Sequence, residues 1–290
     1  MKRVLVAGAS GYLGSYVTRE LGDRGYIVRA LVRSPDRLDA TTEEAAHEVV
    51  QAEVTRPDTL GHVCDGIDVV FSSVGITRQT DGLTFQDVDY QGNRNLLEVA
   101  RRAGVEKFIY VSVLDGPELT QLDIIRAHED FVAELKRSGL SHTVIRPTGF
   151  FSDMGEYLAM ARKGRVYVVG DGENRINPIH GADLAVTCVD AVEGDAVEIA
   201  VGGPVLLTHR QIAEQALAAV GRSGDGVTSV PVWILRSAVG VTRLFSRQRG
   251  ELLAFFATVM TRDTVGPATG SHRLSDHFAE LAAAGGGSRD

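Results

Sequence analysis

The chain has 290 residues, 44% of them apolar, with a formal net charge of −8, so it is long enough for one two-lobed α/β unit or two small domains. The acidic balance argues against non-specific nucleic-acid binding. The two cysteines, Cys64 and Cys188, lie far apart and outside any metal-type spacing, which argues against a disulfide framework or zinc site and fits a reducing cytoplasm.

The chain enters an apolar run over residues 4–7 at once, so no signal peptide is expected. Gly8, Gly11 and Gly14 then punctuate the passage from this strand into a helix at 12–24. Gly8 suits a tight turn, Gly11 would let a phosphate approach bare backbone, and Gly14 would let the helix pack close to the sheet. With Ser10, Tyr12 and Leu13 they form a phosphate-binding turn, because the first helical N–H groups are unpaired and sit at the positive end of the helix dipole. Glycines spaced three and three carry little weight alone; on a strand–turn–helix they read as a dinucleotide site.

Further strands are expected at 27–32, 49–54, 69–74, 108–113 and 143–146, and helices at 57–64, 85–103, 122–138 and 154–163. Several strands are Val- and Ile-rich runs without alternation, as in a sheet covered by helices on both faces. The alternation implies an α/β, doubly wound parallel Rossmann sheet. The second strand ends Val32-Arg33, where an NAD-selective site would carry an acid. Arg33, with Arg37 as a second contact, would grip a 2′-phosphate, which points to NADP(H). Glu53 and Val54, at the end of the third strand, would meet the adenine. Ser73, Val74 and Gly75, at the end of the fourth, would run beside the nicotinamide ribose.

After Pro147 the pattern loosens. A turn at 170–174 precedes a strand at 175–179, a helix at 182–192, a strand at 197–201 and a helix at 211–220 that Thr208 caps. The stretch 231–260, broken by Arg236, Arg243, Arg247 and Arg249, is no membrane span and reads as helices with one buried face. The expected division is a dinucleotide-binding domain at 1–150, to which 176–204 returns, a small, discontinuous, mainly helical substrate lobe at 151–175 and 205–283, and a disordered tail at 284–290.

Residues 1 to about 205 resemble the atypical or extended short-chain dehydrogenase/reductase superfamily in its NmrA-like, NAD(P)H-binding branch. The motifs are the glycine turn, Leu31-Val-Arg33, Asn95-Leu-Leu-Glu98 with Ala103-Gly-Val-Glu-Lys107, Tyr110-Val-Ser112, Ser138-Gly-Leu, Ile145-Arg-Pro147-Thr-Gly149-Phe-Phe and Asn177-Pro-Ile-His180-Gly-Ala-Asp183. The resemblance implies that Pro147 and Phe150 pass near the nicotinamide face. Alcohol–ketone enzymes of the superfamily use a Tyr with a Lys four positions later. None of the seven tyrosines here has one, and the aligned helix places Ile124 and His128 at those positions. Ser112 lies on the strand that usually brings the catalytic hydroxyl, one place early, with Val113 in its stead. His128 is therefore the candidate acid–base group, as a lone Lys is at about that position in isoflavone-reductase-like relatives. The reading is an NADP(H)-dependent reductase of a small, rather apolar compound, with Phe151, Met154 and His180 at the substrate. A non-catalytic redox sensor and a redox-neutral enzyme are the alternatives. The remaining histidines form no ligand cluster, so no metal is expected. A small-molecule substrate, no nucleic acid, no membrane and a cytoplasmic monomer or homodimer complete the expectations.

Overall fold

Unbroken Val and Ile runs need apolar cover on both faces, and most of the chain is arranged to supply it. The computed structural model describes residues 1–76, 82–222 and 226–284. In chain order these form β1 (Arg3–Ala7), α1 (Tyr12–Asp23), β2 (Ile27–Val32), α2 (Ala40–Ala45), β3 (Glu48–Gln51), β4 (Val69–Ser72), α3 (Asn93–Ala103), β5 (Lys107–Val111), α4 (Asp123–Arg137) and β6 (Ser141–Pro147). Then follow α5 (Phe151–Arg162), β7 (Val166–Val169), β8 (Arg175–Ile176), α6 (Gly181–Asp190), β9 (Glu198–Val201), β10 (Leu207–Thr208), α7 (His209–Ala219), β11 (Val227–Val230), α8 (Val232–Phe245), α9 (Arg247–Met260) and α10 (Leu274–Ala284).

Seven strands make one sheet in the order β3-β2-β1-β4-β5-β6-β9. The pairings from β3 through to β6 are parallel, with Val6 opposite Ala30 on one side and Phe71 on the other. The chain reverses its order across β1 and β4, so the crevice beyond their carboxyl ends is the topological switch point where such sheets bind ligands. Leu5, Val70, Phe108, Tyr110 and Phe131 are wholly buried in the core on one face.

The chain divides into two compact units, Met1–Arg146 with Leu184–Ile199, and Pro147–Asp183 with the chain from Ala200 onward. In the second, β7 pairs with β11 in parallel, β8 pairs with β10 antiparallel, and α5, α7 and α10 enclose a separate apolar core around Leu158, Ile212 and Phe278. Thr208 caps α7 by accepting from the Gln211 N–H at 3.2 Å, as its sequence position implies. Of the expected tail at 284–290, Ala284 ends α10 and the rest lies outside the described residues.

Some elements differ from the sequence reading. The helix expected at 57–64 is a single tight turn, Pro57–Thr59. Gly61 and Gly66, the latter at φ +66°, leave no length over which a helix could bury a face. Helix α2 is unforeseen; Asp39 caps it by accepting from the Thr42 N–H at 2.9 Å. Hydrogen bonds from Thr41 and Thr42 also hold the Asp39 carboxyl at about 2. The single helix expected at 85–103 is a π-helical stretch, Gln86–Gly92, leading into α3. There the Asn93 side chain takes the Asp89 carbonyl at 2.8 Å, a side-chain intrusion of the kind that widens a helix.

Candidate functional site

The glycine turn is built as its sequence implies, and each glycine is needed for a different reason. Gly8 has φ +87°, where only glycine is unstrained. A Cβ on Gly14 would run into the Gly8 carbonyl, so α1 approaches β1 only because Gly14 lacks one. Gly11 has ordinary extended angles, φ −85° and ψ 168°, and its Cβ would meet only the Gly8 oxygen at 3.1 Å. Gly11 is also the N-cap of α1, no side chain caps that helix, and its first turn holds no acid. The positive end of α1 is thus left for an anion.

Gly8, Ser10 and Gly11 line one part of a cavity of about 320 Å³ within the first unit. Arg33 and Arg37 line another, both exposed, at the carboxyl end of β2. Glu53 and Val54 line a third, where the chain has already left β3, and Ser73, Val74 and Gly75 a fourth, beyond β4. Tyr12, Leu13 and Gly14 form the first turn of α1 behind this lining, with Leu13 and Gly14 buried. Leu31 and Val32, of the motif that ends at Arg33, also line it, as do Ala52, Thr55, Ile76 and Val88, which were missed because they are apolar or neutral residues that carry no motif. One cavity thus has an anion-ready helix end, two guanidinium groups and a stretch of open backbone. A dinucleotide with a 2′-phosphate fits that donor set.

The wall beyond β4 is held by polar side chains that the sequence reading overlooked. Asn93 accepts from the Ser72 hydroxyl at 2.6 Å and donates to the Val74 carbonyl at 3.1 Å. Asp89, fully buried, accepts from the Ile76 N–H at 3.2 Å. Asn95 donates to the Val54 carbonyl at 2.9 Å. Asp89 and Asn93, four residues apart on the widened helix, brace the strip from Ser72 to Ile76.

His128 reaches this same wall from α4. Its Nε2 lies 3.2 Å from Asp89 Oδ1, its Nδ1 lies 2.6 Å from the Tyr110 hydroxyl, and its side chain is 12% exposed. A Cβ on Gly75 would sit 3.6 Å from His128 Cε1. Burial raises the Tyr110 phenol well above its usual value, so it keeps its proton and donates to Nδ1. Nε2 then carries the ring proton and faces Asp89. Desolvation raises the Asp89 carboxyl, while His128 and the Ile76 N–H pull it down. Tyr110, His128 and Asp89 thus form one hydrogen-bonded chain, with an imidazole edge against the cavity wall.

Ser112 is placed differently. It is buried, donates to Glu129 at 2.9 Å and accepts from Arg146 at 3.2 Å. Arg146 in turn grips Glu129 through two bonds, of 2.6 and 3.0 Å, and reaches Glu198 at 2.8 Å. The Ser112 hydroxyl is therefore taken up by a buried ion-pair network and is not presented as a proton donor.

The remaining site candidates belong to the second unit. Pro147 ends β6, and Phe150 is the N-cap residue of α5, its N–H held by Asp153 at 3.2 Å. Phe151 and Met154, expected at a substrate surface, are 1% and 8% exposed and pack in the second core. Their spacing with Leu158 and Ala161 is that of a buried helix face. His180 stacks on His272 at 4.3 Å and meets Phe151 and His277 edge-on. It accepts from the Ala182 N–H at 3.2 Å, as a neutral imidazole does. Burial, then the neighbouring His272 and His277, bring its pKa down to about 4, with Asp183 opposing. Between about pH 6.5 and 4 the unfolded chain therefore binds more protons than the folded one, and stability falls as pH drops through that window. Thermal unfolding between pH 7 and 5 should show a steeper fall for the wild type than for His180→Phe; parallel curves would refute the assignment. Among the described residues no cluster of His, Cys, Asp or Glu is arranged to hold a metal.

A family model described as NAD(P)H-binding matches residues 8–195. The chain belongs to the NAD(P)H-binding family. The match bears out the NAD(P)H-binding part of the resemblance, and the family's cofactor is a nicotinamide dinucleotide. The chain is 32% identical over 250 residues to the Photosystem II assembly factor Ycf39 of Synechocystis sp., covering 84% of this chain and 75% of that one. It is 30% identical over 261 residues to the divinyl chlorophyllide a 8-vinyl-reductase of Cucumis sativus, covering 82% of this chain and 61% of that protein. In fold it is similar to the NADPH-dependent quinone oxidoreductase QOR2 of Escherichia coli, solved with NADPH, at a TM-score of 0.73 and 20% identity over 97% of this chain and 99% of that one.

Proposed function

We propose that this protein is an NADP(H)-dependent reductase of a small, apolar, conjugated acceptor, working without a Tyr–Lys pair. The observation that carries the reading is His128, brought against Gly75 on the wall of the dinucleotide cavity and held there by Tyr110 and Asp89. Gly8, Ser10, Gly11 and the first turn of α1 would hold the pyrophosphate. Arg33 and Arg37 would take the 2′-phosphate, Glu53 and Val54 the adenine, and Ser73 to Gly75 the nicotinamide ribose. The reduced nicotinamide supplies a hydride. His128 would hold the proton that must follow: Asp89 orients the ring through Nε2, and Tyr110 keeps Nδ1 occupied so that the labile proton is on Nε2. Reduction of a vinyl group or a quinone needs this pairing of hydride and proton, and the names of two similar proteins describe such acceptors. Both cysteines are buried thiols, with Cys64 pushed up to about 12 by burial, in keeping with a reducing, cytoplasmic setting.

A thermal-shift titration with each dinucleotide tests the cofactor half. NADPH should bind more tightly than NADH by about 1.5–3 kcal/mol, the worth of one charge-assisted contact, and Arg33→Ala should erase the difference. Equal midpoints for the wild type at matched concentrations would remove Arg33 from the argument. NADPH consumption against a panel of quinones and enones tests the chemistry. A second reading, an NADP(H)-binding regulator without turnover, is favoured by the similarity to an assembly factor and by the engagement of both His128 nitrogens within the protein. Tight NADPH binding with no acceptor-dependent oxidation would select it.

A further inference from the structure

Helix α8 turns apolar side chains towards solvent. Trp233, Ile234, Val241, Leu244 and Phe245 are 68%, 42%, 55%, 83% and 87% exposed. At about 100° per residue they fall within roughly 120° of the helix circumference. Val239, the one buried residue of α8, lies on the opposite side. The single buried face expected of this helix is therefore a minor one, and its larger apolar face is outward. Scattered exposed apolar residues need no explanation, but five forming one stripe on a short helix mark a contact surface.

The charges around the stripe state what it contacts. Residues 231–250 carry four arginines and no Asp or Glu, in a chain whose net charge is −8. Arg236, Arg243, Arg247 and Arg249 are all exposed. Arg236 and Arg243, seven residues apart, share one flank of the helix. The other two lie at the start of α9, and the nearest carboxylate, Glu251, pairs with Arg243 at 3.0 Å. A 14-residue helix is about 21 Å long, short of a bilayer's hydrocarbon thickness. No helix among the described residues is long and apolar enough to cross a membrane. An aromatic and aliphatic stripe bordered on one side by Arg236 and Arg243 and followed by Arg247 and Arg249, with no carboxylate within it, is suited to lying in the plane of an anionic headgroup layer. A second copy of the same surface would set arginines against arginines.

We infer that α8, with the start of α9, docks the protein on an anionic phospholipid surface, the stripe entering the acyl boundary and Arg236 and Arg249 meeting lipid phosphates. Trp233 is the only tryptophan in the chain, so its emission reports the contact directly. With vesicles of phosphatidylcholine containing phosphatidylglycerol, the emission should shift to the blue and the protein should float with the lipid. Pure phosphatidylcholine should bind less, and added salt should weaken the anionic case. Leu244→Asp combined with Phe245→Asp should cut partitioning about tenfold or more while leaving NADPH binding intact, which shows that the variant is folded. Three results would overturn the inference: no shift and no flotation with anionic vesicles, undiminished vesicle binding by the double variant, or a lipid-independent shift that follows protein concentration and dimer formation.

Discussion

Gly11→Val should abolish dinucleotide binding and leave the melting midpoint almost unchanged. The backbone at Gly11, φ −85° and ψ 168°, is open to any residue, and a Cβ there meets only the Gly8 carbonyl oxygen at 3.1 Å. Backbone strain does not account for the absence of a side chain, and the 3.1 Å approach asks the Gly8 carbonyl to give by only a few tenths of an ångström. What remains is the space above it, which is cavity. A branched side chain would occupy the volume of a pyrophosphate and screen the uncapped end of α1, costing about 3 kcal/mol or more of affinity as charge-assisted bonds are lost. Gly14→Ala is the contrasting case. Its Cβ strikes the Gly8 carbonyl, so the variant should lose stability as well as ligand. Calorimetry with NADPH on both variants, beside their thermal unfolding, separates the two roles. If Gly11→Val bound the dinucleotide as wild type does, the glycine turn would be a structural connection alone.

His128→Ala lowers turnover of the acceptor by about 10²–10⁴-fold, the usual worth of a positioned acid–base group, with NADPH affinity nearly unchanged. On the proposed binding mode the loss should be one of kcat, because the imidazole sits beside Gly75 and is held by Tyr110 and Asp89, away from the glycine turn. Tyr110→Phe and Asp89→Asn test the chain on either side. The first removes the donor to Nδ1, the second the carboxylate facing Nε2, and each should reduce kcat less than His128→Ala does. Because Asp89 is buried and also holds the Ile76 N–H, its variant should lose about 1–3 kcal/mol of stability. Turnover should be compared at temperatures where all variants are folded. A His128→Ala protein with wild-type kcat would leave the proton to water and dismiss the relay.

Much of the architecture could be read along the chain because it is written in local terms. The Val and Ile runs of β1, β2 and β4, the Gly8–Gly11–Gly14 turn and the Thr208 cap each depend on neighbours a few residues away. So does Arg33, since its position is counted from the glycines along a single β–α–β unit. The arrangement of Ser112, Asp89, Asn93 and Tyr110 could not be read in this way. Ser112 has the residue type of a catalytic hydroxyl, but Glu129 and Arg146, brought from α4 and β6, take both its donor and its acceptor. Asp89 and Asn93 look like solvated helix residues until the widened turn directs them inward against β4. Phe151 and Met154 have the apolar character of a substrate wall, yet α7 and α10 cover them. On α8 the opposite holds: its apolar residues look like core, yet Trp233, Ile234, Val241, Leu244 and Phe245 are exposed among the described residues.

The sequence by itself therefore determined the parallel sheet, the dinucleotide turn and the basic end of β2, since short-range backbone and charge requirements specify them. Tertiary structure alone decided which polar groups are spent on one another, which apolar residues are covered, and that His128 stands between Tyr110 and Asp89. Those outcomes depend on desolvation and on contacts between residues far apart in the chain, and no local pattern encodes either.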